Sequence, residues 1–367
     1  MALAAIEPGM MRLLSSEMTF VSRPDLRPPR WNITTSNAER LSPGYWFIAP
    51  YADLGAQSGS ASSCQIGPHI YDDEGQLVWS GACDVHNRNT FDFKTWETAG
   101  VRGLSFVVEG QSTGLDMWHK RGAGLVLGDT YALVDAVDPV DPADNIREFN
   151  FHEFTKLPNG IGSLVMYDNS STIANTEVGD LLVCEGGFLQ FDPEGKTTFQ
   201  WRALDHIDVP ESTEIRPEGG SKTEWDWFHA NSVDRNSNGD YLLSARHTDC
   251  IYKISGHDGS IIWRLGGLNS TFTLADFTFS RQHDARFVPS EDRHDGKELI
   301  SFLNNAADSH HNTSATSAAY LVEVDTNGGT ARLSKQWLRP DGKLGVYRGN
   351  VQFLDNGNVF VYWGDNG

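Results

Sequence analysis

The chain has 367 residues, enough to bury a large core, and its hydrophobic content of 39% argues against disorder. A formal charge of -20 with no offsetting basic cluster repels phosphates, so nucleic acid is excluded as a partner. No apolar run approaches the roughly 18 residues that a membrane-spanning helix needs, and no membrane span is expected.

In chain order, "MALAAIEPGMMRLLSSEMTF" has no basic segment followed by an apolar core, so no signal peptide is visible. Residues 1–17 read as an N-terminal extension and 18–367 as one domain. Helical periodicity is nearly absent. One recurring unit ends in an acidic turn and a tryptophan: "YDDEGQLVW" (71–79), "FDPEGKTTFQW" (191–201), "ISGHDGSIIW" (254–263) and "VDTNGGTARLSKQW" (324–337). A second is a strand, an Asn-Gly or Asp-Gly turn and another strand: "KLPNGIGSLVMY", "SVDRNSNGDYLLSA", "RFVPSEDRHDGKELISF" and "VQFLDNGNVFVYW". Gly, Asn and Asp accept positive φ cheaply, which favours hairpins. The units alternate every 40–60 residues or so, about the size of a four-stranded blade. The expectation is an all-β, six-bladed β-propeller with blades starting near residues 30, 90, 149, 227, 281 and 348. The last has only two strands before Gly367, so it is incomplete or is closed by N-terminal residues such as "MTFVS".

The hairpin "FHANSVDRNSNGDYLLSARH" (228–247) carries His229 and Asn231 at the start of its first strand and Arg246 and His247 at the end of its second. Its turn lies midway, so both ends should meet across the antiparallel pair. His152 in "NFHEFTKLPNG" and His283 in "SRQHDARFVPSEDRHDG" open equivalent strands. In a propeller these strands line the central channel. Such groups either fill a wet channel and satisfy one another, or form a ligand site at its rim. Trp225, Trp227 and Phe228 could flank an aromatic ligand or pack between blades. Arg286 and Arg348 could add positive charge to the rim beside Arg246, although Arg286 could equally pair with a neighbouring acid.

Other features point less far. Cys64, Cys83, Cys184 and Cys250 lack metal-type spacing. The first two could be bridged in an oxidising compartment, and four free thiols is the other reading. His310-His311 lie in a polar loop and read as solvated. His69, His86, His119, His206, His257 and His294 read as surface. No metal or cofactor is expected. Four sequons (Asn32, Asn169, Asn269, Asn312) are no more than chance supplies, and a glycoprotein is only an option. "GQSTG" (110–114) matches a nucleophile elbow but no helix follows it. "PEGKT" lacks the earlier glycine of a phosphate loop, because Gln190 stands there.

Together "FVSRPDLRPPRWNIT", "GPHIYDDEGQLVWSG", "EFNFHEFTKLPNG", "EWDWFHANSVDRNSNGDYLLSARHT", "SGHDGSIIWRLGG", "FSRQHDARF" and "GNVQFLDNGNVFVYWG" resemble the arylsulfotransferase superfamily, in its fungal branch. The resemblance implies a six-bladed propeller with a site in its channel. It also implies a transferase that moves sulfuryl groups between phenols through a sulfated histidine, without a nucleotide donor. By motif, His283 takes the place of the nucleophile. His229, Asn231 and Arg246 match sulfate-binding positions, and His152 is a fourth. The site reading is therefore His283, His229 and Arg246 as catalytic groups, with His152, Asn231, His247, Trp227 and Arg286 binding substrate. The chain departs from the pattern in lacking an evident export signal and the C-terminal closing strands. Family likeness and sequons favour the secretory pathway, while the missing signal leaves the cytoplasm open.

Sulfuryl transfer asks the protein mainly to position and neutralise, as phosphoryl transfer does. A guanidinium bonds two oxygens of an anion at once. A neutral imidazole is a nucleophile near neutral pH. The partner is then a small phenolic or aryl molecule, and the protein is read as a monomer. A rival keeps the fold and has the same rim promote a cyclisation or cycloaddition in fungal secondary metabolism, by hydrogen bonds to a carbonyl. A third reading is a propeller that binds without catalysis.

Overall fold

A computed structural model describes residues 5–6, 17–51, 63–109, 122–137, 148–174, 179–217, 223–289 and 296–364. Among the described residues strands dominate and there is almost no helix, which is the expected all-β class. The chain forms two compact units, Met1–Val165 with Gln190–Thr198, and Met166–Leu189 with Phe199–Gly367.

In the first unit β1 (Ala5–Ile6) pairs with β2 (Ile33–Thr34). A three-stranded sheet follows from β3 (Trp46–Ile48), β4 (His69–Tyr71) and β5 (Leu77–Ser80), then a four-stranded meander of β6 (Thr90–Thr98), β7 (Val101–Val108), β8 (Ala123–Leu127) and β9 (Leu133–Val137). The next sheet is formed by β10 (Glu148–Leu157), β11 (Gly162–Ile173), β12 (Leu181–Phe191) and β13 (Thr197–Arg202). The second unit continues with β14 (Ala230–Arg235), β15 (Tyr241–Ala245), β16 (Cys250–Ile254) and β17 (Ile261–Gly266). Then β19 (His283–Val288), β20 (Lys297–Asn304), β21 (Ala318–Asp325) and β22 (Thr330–Leu338) form a sheet that β18 (Thr273–Ala275) extends in parallel beside β22. A two-stranded sheet of β23 (Asn350–Phe353) and β24 (Val359–Tyr362) comes last. Strands thus start close to the expected residues 90, 149, 227, 281 and 348; near residue 30 only the two-residue β2 stands, and the three-stranded sheet starts at Trp46. The parallel β18 was not expected. Residues 18–22 hold no strand.

The repeated turns work through side-chain acceptors. Asp72 Oδ1 takes the amides of Glu74 and Gln76 at 3.0 and 2.7 Å, and Asp325 Oδ1 takes those of Asn327 and Gly328 at 3.0 and 2.7 Å. In the β14–β15 turn Asn236 Oδ1 takes the amides of Asn238 and Asp240, and Gly239 supplies the φ of +93° that the turn needs. The tryptophan that ends each unit packs against a neighbouring element. Trp79 meets Phe93 of β6 at 6.2 Å, and Trp337 meets Phe353 of β23 at 5.9 Å. Trp201 is wholly buried and donates its Nε1–H to the Gly259 carbonyl at 3.0 Å.

Within the second unit the first strands β14, β19 and β23 are linked by side chains rather than by ladder bonds. Ser232 Oγ accepts the Ala285 amide at 2.8 Å and Asp234 Oδ2 the Phe287 amide at 2.9 Å. Asp284 Oδ2 accepts the Val351 amide at 3.4 Å. The first unit repeats the device, with Asp92 Oδ2 accepting the Phe154 amide at 2.7 Å. Between the sheets lie apolar clusters, such as Leu242, Ile251, Trp263, Phe302 and Val322.

Of the two cysteine readings, the bridged one holds: Cys64 and Cys83 form a disulfide, while Cys184 and Cys250 are thiols. Cys83→Ser opens a loop with a sequence separation of 19 residues, which should lower stability by about 3 kcal/mol in urea unfolding. Asp234→Ala strands the Phe287 amide and should cost about 1–3 kcal/mol by the same measurement.

Candidate functional site

The two ends of the β14–β15 hairpin do meet. Ala230 lies opposite Ala245, and beyond that pair the Arg246 amide donates to the His229 carbonyl at 2.9 Å and the His247 amide to the Phe228 carbonyl at 3.1 Å. Residues Arg246–Thr248 then turn as a single 3-10 turn. His229 sits at φ +50°, a left-handed conformation that few side chains other than glycine adopt. Its Nδ1 lies 2.5 Å from Asp226 Oδ2. The Nδ1–H of His247 is held by the Asp226 carbonyl oxygen. The two imidazoles are 4.7 Å apart at 38°. His247 Nε2 is 3.5 Å from Glu214 Oε2, and Arg281 links Glu214 at 3.0 Å to Asp308 at 2.6 Å. A continuous polar chain thus runs Asp308, Arg281, Glu214, His247, Asp226, His229.

Segment 281–283 closes the other side of the hairpin end. Gln282 is fully buried and fans its Nε2 onto Ser244 Oγ and the carbonyls of Ala245 and Cys250 at 3.0–3.1 Å. Asn231 Nδ2 donates to the Gln282 carbonyl at 2.8 Å, and Arg246 Nη1 to the Arg281 carbonyl at 2.9 Å. Arg246 Nη2 reaches the Ala307 carbonyl at 3.3 Å, and its guanidinium lies 5.4 Å from the centre of the Tyr347 ring. His283 comes directly after, at the start of β19, with 9% of its surface exposed. Asn231 Oδ1 and Gln282 Oε1 are buried without a hydrogen-bond partner among the described residues.

Asn231, Arg246, His247, His229 and His283 therefore border one open hairpin end. The remaining expected residues have their own surroundings. His152 belongs to the first unit, on β10, where Asn150 Oδ1 accepts from its Nδ1 at 2.7 Å and Phe151 stacks on it at 4.7 Å. Trp227 is wholly buried, with its ring 5.2 Å from Phe228, so it packs in the core. Arg286 pairs with Asp284 at 2.6 Å, the alternative that its neighbour allowed. His69, read as surface, is instead fully buried on β4, with Nε2 2.9 Å from the Gln65 carbonyl oxygen. His206 is half-buried, stacked on Trp201 at 4.9 Å, while His86, His257, His310 and His311 are exposed as expected. His119, His294 and "GQSTG" lie outside the described residues. Asp226, Glu214, Arg281 and Gln282 were not singled out from sequence. Asp226 stands three residues before His229 in "EWDWFHANS", and that spacing was the available signal.

Burial and the Arg281 charge bring the Arg246 guanidinium down to about 10, so it stays charged at neutral pH. Burial pushes His247 down to about 3 against the nearby Asp226 carboxylate, which acts the other way. Asp226, His229 and His247 offer three ligand atoms within 4.8 Å of one another, a donor set that could hold a divalent cation. Asp25 with Cys64 and Cys83 forms a similar cluster, but those sulfurs are joined to each other and are not thiolates.

His247 and His69, which burial pushes down to about 4, are neutral in the fold down to far below the ordinary histidine value near 6.5. Below pH 6.5 the unfolded chain takes up protons that the fold does not, so stability falls as pH drops toward 4. Each group contributes at most about 1.4 kcal/mol per pH unit. Urea midpoints at pH 7 and pH 5 should separate less in His247→Gln than in the wild type.

Among solved structures the chain is similar to a protein of unknown function from Bacteroides caccae, at 14% identity and a TM-score of 0.31, over 83% of this chain and 97% of that one. It is also similar to sucrose-6-phosphate hydrolase from Lactobacillus gasseri, at 11% and 0.38, over 72% and 52%. A third similar structure is a GH43_1 enzyme from Xanthomonas citri, at 11% and 0.35, over 72% and 78%. No curated protein matches the chain. Residues 148–367, which hold every group at the hairpin end, match the family described as Arylsulfotransferase (ASST), and the chain belongs to that family.

Proposed function

We propose that the protein moves a sulfuryl group from an aryl sulfate to an acceptor phenol through a histidine intermediate, without a nucleotide, as a six-bladed propeller of the fungal branch. Family membership supports the transferase class. The observation that carries the residue assignment is the grouping of His229, Arg246 and His283 around one hairpin end.

In this reading a ring nitrogen of His283 attacks sulfur in line. The S–N bond forms as the S–O bond to the aryl group breaks, and His229, which has taken up a proton from solvent at Nε2, gives it to the leaving phenolate oxygen. Such help is typically worth about 10²–10⁴-fold. The acceptor phenol then attacks sulfur, the S–N bond breaks, and the phenol proton returns to the protein. Arg246 neutralises the sulfuryl oxygens with its charge and with the N–H groups not given to Arg281 and Ala307. Asn231 and His247 border the same end. His152 is assigned here by motif alone. Trp227 is too deep to meet an aryl ring, and the ring that reaches solvent beside Arg246 is Tyr347.

One observation favours the cyclisation reading. Arg246 gives two of its N–H groups to main-chain carbonyls, Asn231 gives its amide to another, and Arg286 pairs with Asp284. That commits donors an anionic sulfate would want, and it leaves Arg286 balanced by a carboxylate in a chain of charge -20.

Intact-protein and peptide mass spectrometry after exposure to an aryl sulfate should find a sulfuryl adduct on His283, and His283→Ala should release phenol only at background. A folded wild-type protein that neither forms the adduct nor turns over any aryl sulfate would sink this assignment. Turnover of a polyene or quinone without a sulfate donor, partly retained in His283→Ala, would establish the rival.

A further inference from the structure

We infer that Asp226 is a positioning residue that sets the tautomer of both imidazoles at the hairpin end. It uses two different acceptors to do so. Its carboxylate takes the Nδ1–H of His229 at 2.5 Å, and its main-chain carbonyl takes the Nδ1–H of His247. Because Nδ1 of His229 is committed, any proton that His229 gives or takes moves at Nε2.

The local chain is arranged for this bond. Asp226 is irregular and His229 sits at a left-handed φ of +50°, so the imidazole turns back toward a carboxylate three residues earlier. Main-chain strain of this kind costs energy and persists where the surroundings over-determine it. The surroundings here are the paired hairpin end, where the His229 carbonyl is bonded to the Arg246 amide and the Phe228 carbonyl to the His247 amide. The same frame fixes His247 beside His229, with Glu214 on its far nitrogen. Asp226 therefore reaches both rings from one position. The catalytic consequence, a correctly oriented proton donor to the leaving phenolate, rests on the sulfuryl-transfer reading. The tautomer assignment does not.

The full chain labelled with nitrogen-15 histidine tests this by two-dimensional nitrogen–proton NMR, with His229→Gln and His247→Gln spectra assigning the two rings. At a pH where the rings are neutral the wild type should show both as Nδ1–H tautomers. In Asp226→Asn the amide can turn its own NH₂ toward His229, and the His229 signal should shift toward the Nε2–H tautomer while His247, held by the main chain, keeps its form. If aryl sulfate is turned over, kcat in Asp226→Asn should drop roughly 10²-fold with KM nearly unchanged, as loss of an oriented proton donor implies. Asp226→Glu should recover part of it.

A neutral wild-type His229 with its single proton on Nε2 would overturn the inference, and so would Asp226→Asn with unchanged tautomers and unchanged kcat. Stoichiometric zinc in the purified wild type that is lost in Asp226→Asn would also overturn it, because the nitrogens would then be ligands rather than donors. A wild type with no aryl-sulfate turnover but with Nδ1–H rings removes the reaction and leaves the positioning role standing.

Discussion

The second unit depends on how the outward edge of each first strand is satisfied. A sheet ends at its first strand, yet that strand lies against the next sheet rather than in water, and main-chain groups there must still find partners. Side chains provide them. Ser232 and Asp234 of β14 take amides of β19, and Asp284 of β19 takes an amide of β23. Where carbonyls are left over, donors come from Asn231 and Arg246, which bond the carbonyls of Gln282, Arg281 and Ala307. The polar residues that crowd these strands are first of all the fasteners between sheets.

That constraint explains what could be read in advance. The acidic turns and their tryptophans recur because each solves a local problem within a few residues: an Asx acceptor closes the turn, and the tryptophan covers the next sheet. Local solutions leave local patterns, and so the strand starts were legible from Thr90 to Asn350. The hairpin end was legible too, since antiparallel pairing about a central turn brings residues 229 and 246 together. What was not legible is long-range. Nothing near Trp227 shows that Phe228 and its neighbours bury it, and nothing near His69 shows that it lies inside. The bond from Asp226 to His229 needed the left-handed turn at His229, which a non-glycine residue does not announce.

The fastening bonds of Asn231 and Arg246 limit what the hairpin end could bind. A guanidinium that is nearly buried, bonded to two carbonyls and faced by an aromatic ring is rigid and cannot follow a ligand outward. It presents its remaining edge to a fixed place, which suits a small anion brought to it and not a long-range lure. The charges around it are balanced close by: Arg281 lies between Glu214 and Asp308, and Arg286 against Asp284. In a chain this acidic, any affinity of this end for an anion would have to come from specific contact rather than steering.

Adjacent residues reach the same neighbour because the first strands are bulged. The pairing of β14 with β15 slips between Ala230 and Ser232, that of β19 with β20 between His283 and Arg286, and that of β6 with β7 between Phe91 and Lys94. A bulge breaks the strict alternation of side chains and re-aims one of them. Asn231 and Ser232, consecutive in sequence, accordingly both bond to the start of β19, at the Gln282 carbonyl and the Ala285 amide. At β19 the extra residue is Asp284, at φ +57°, and it turns to Arg286 and to the Val351 amide. The fastening of β19 to β23 thus falls to Asp284, directly beside His283 at the head of the strand. A strictly alternating pattern would point consecutive residues to opposite faces, and the slips at the heads of β14 and β19 let one short segment both join the sheets and present groups to the hairpin end.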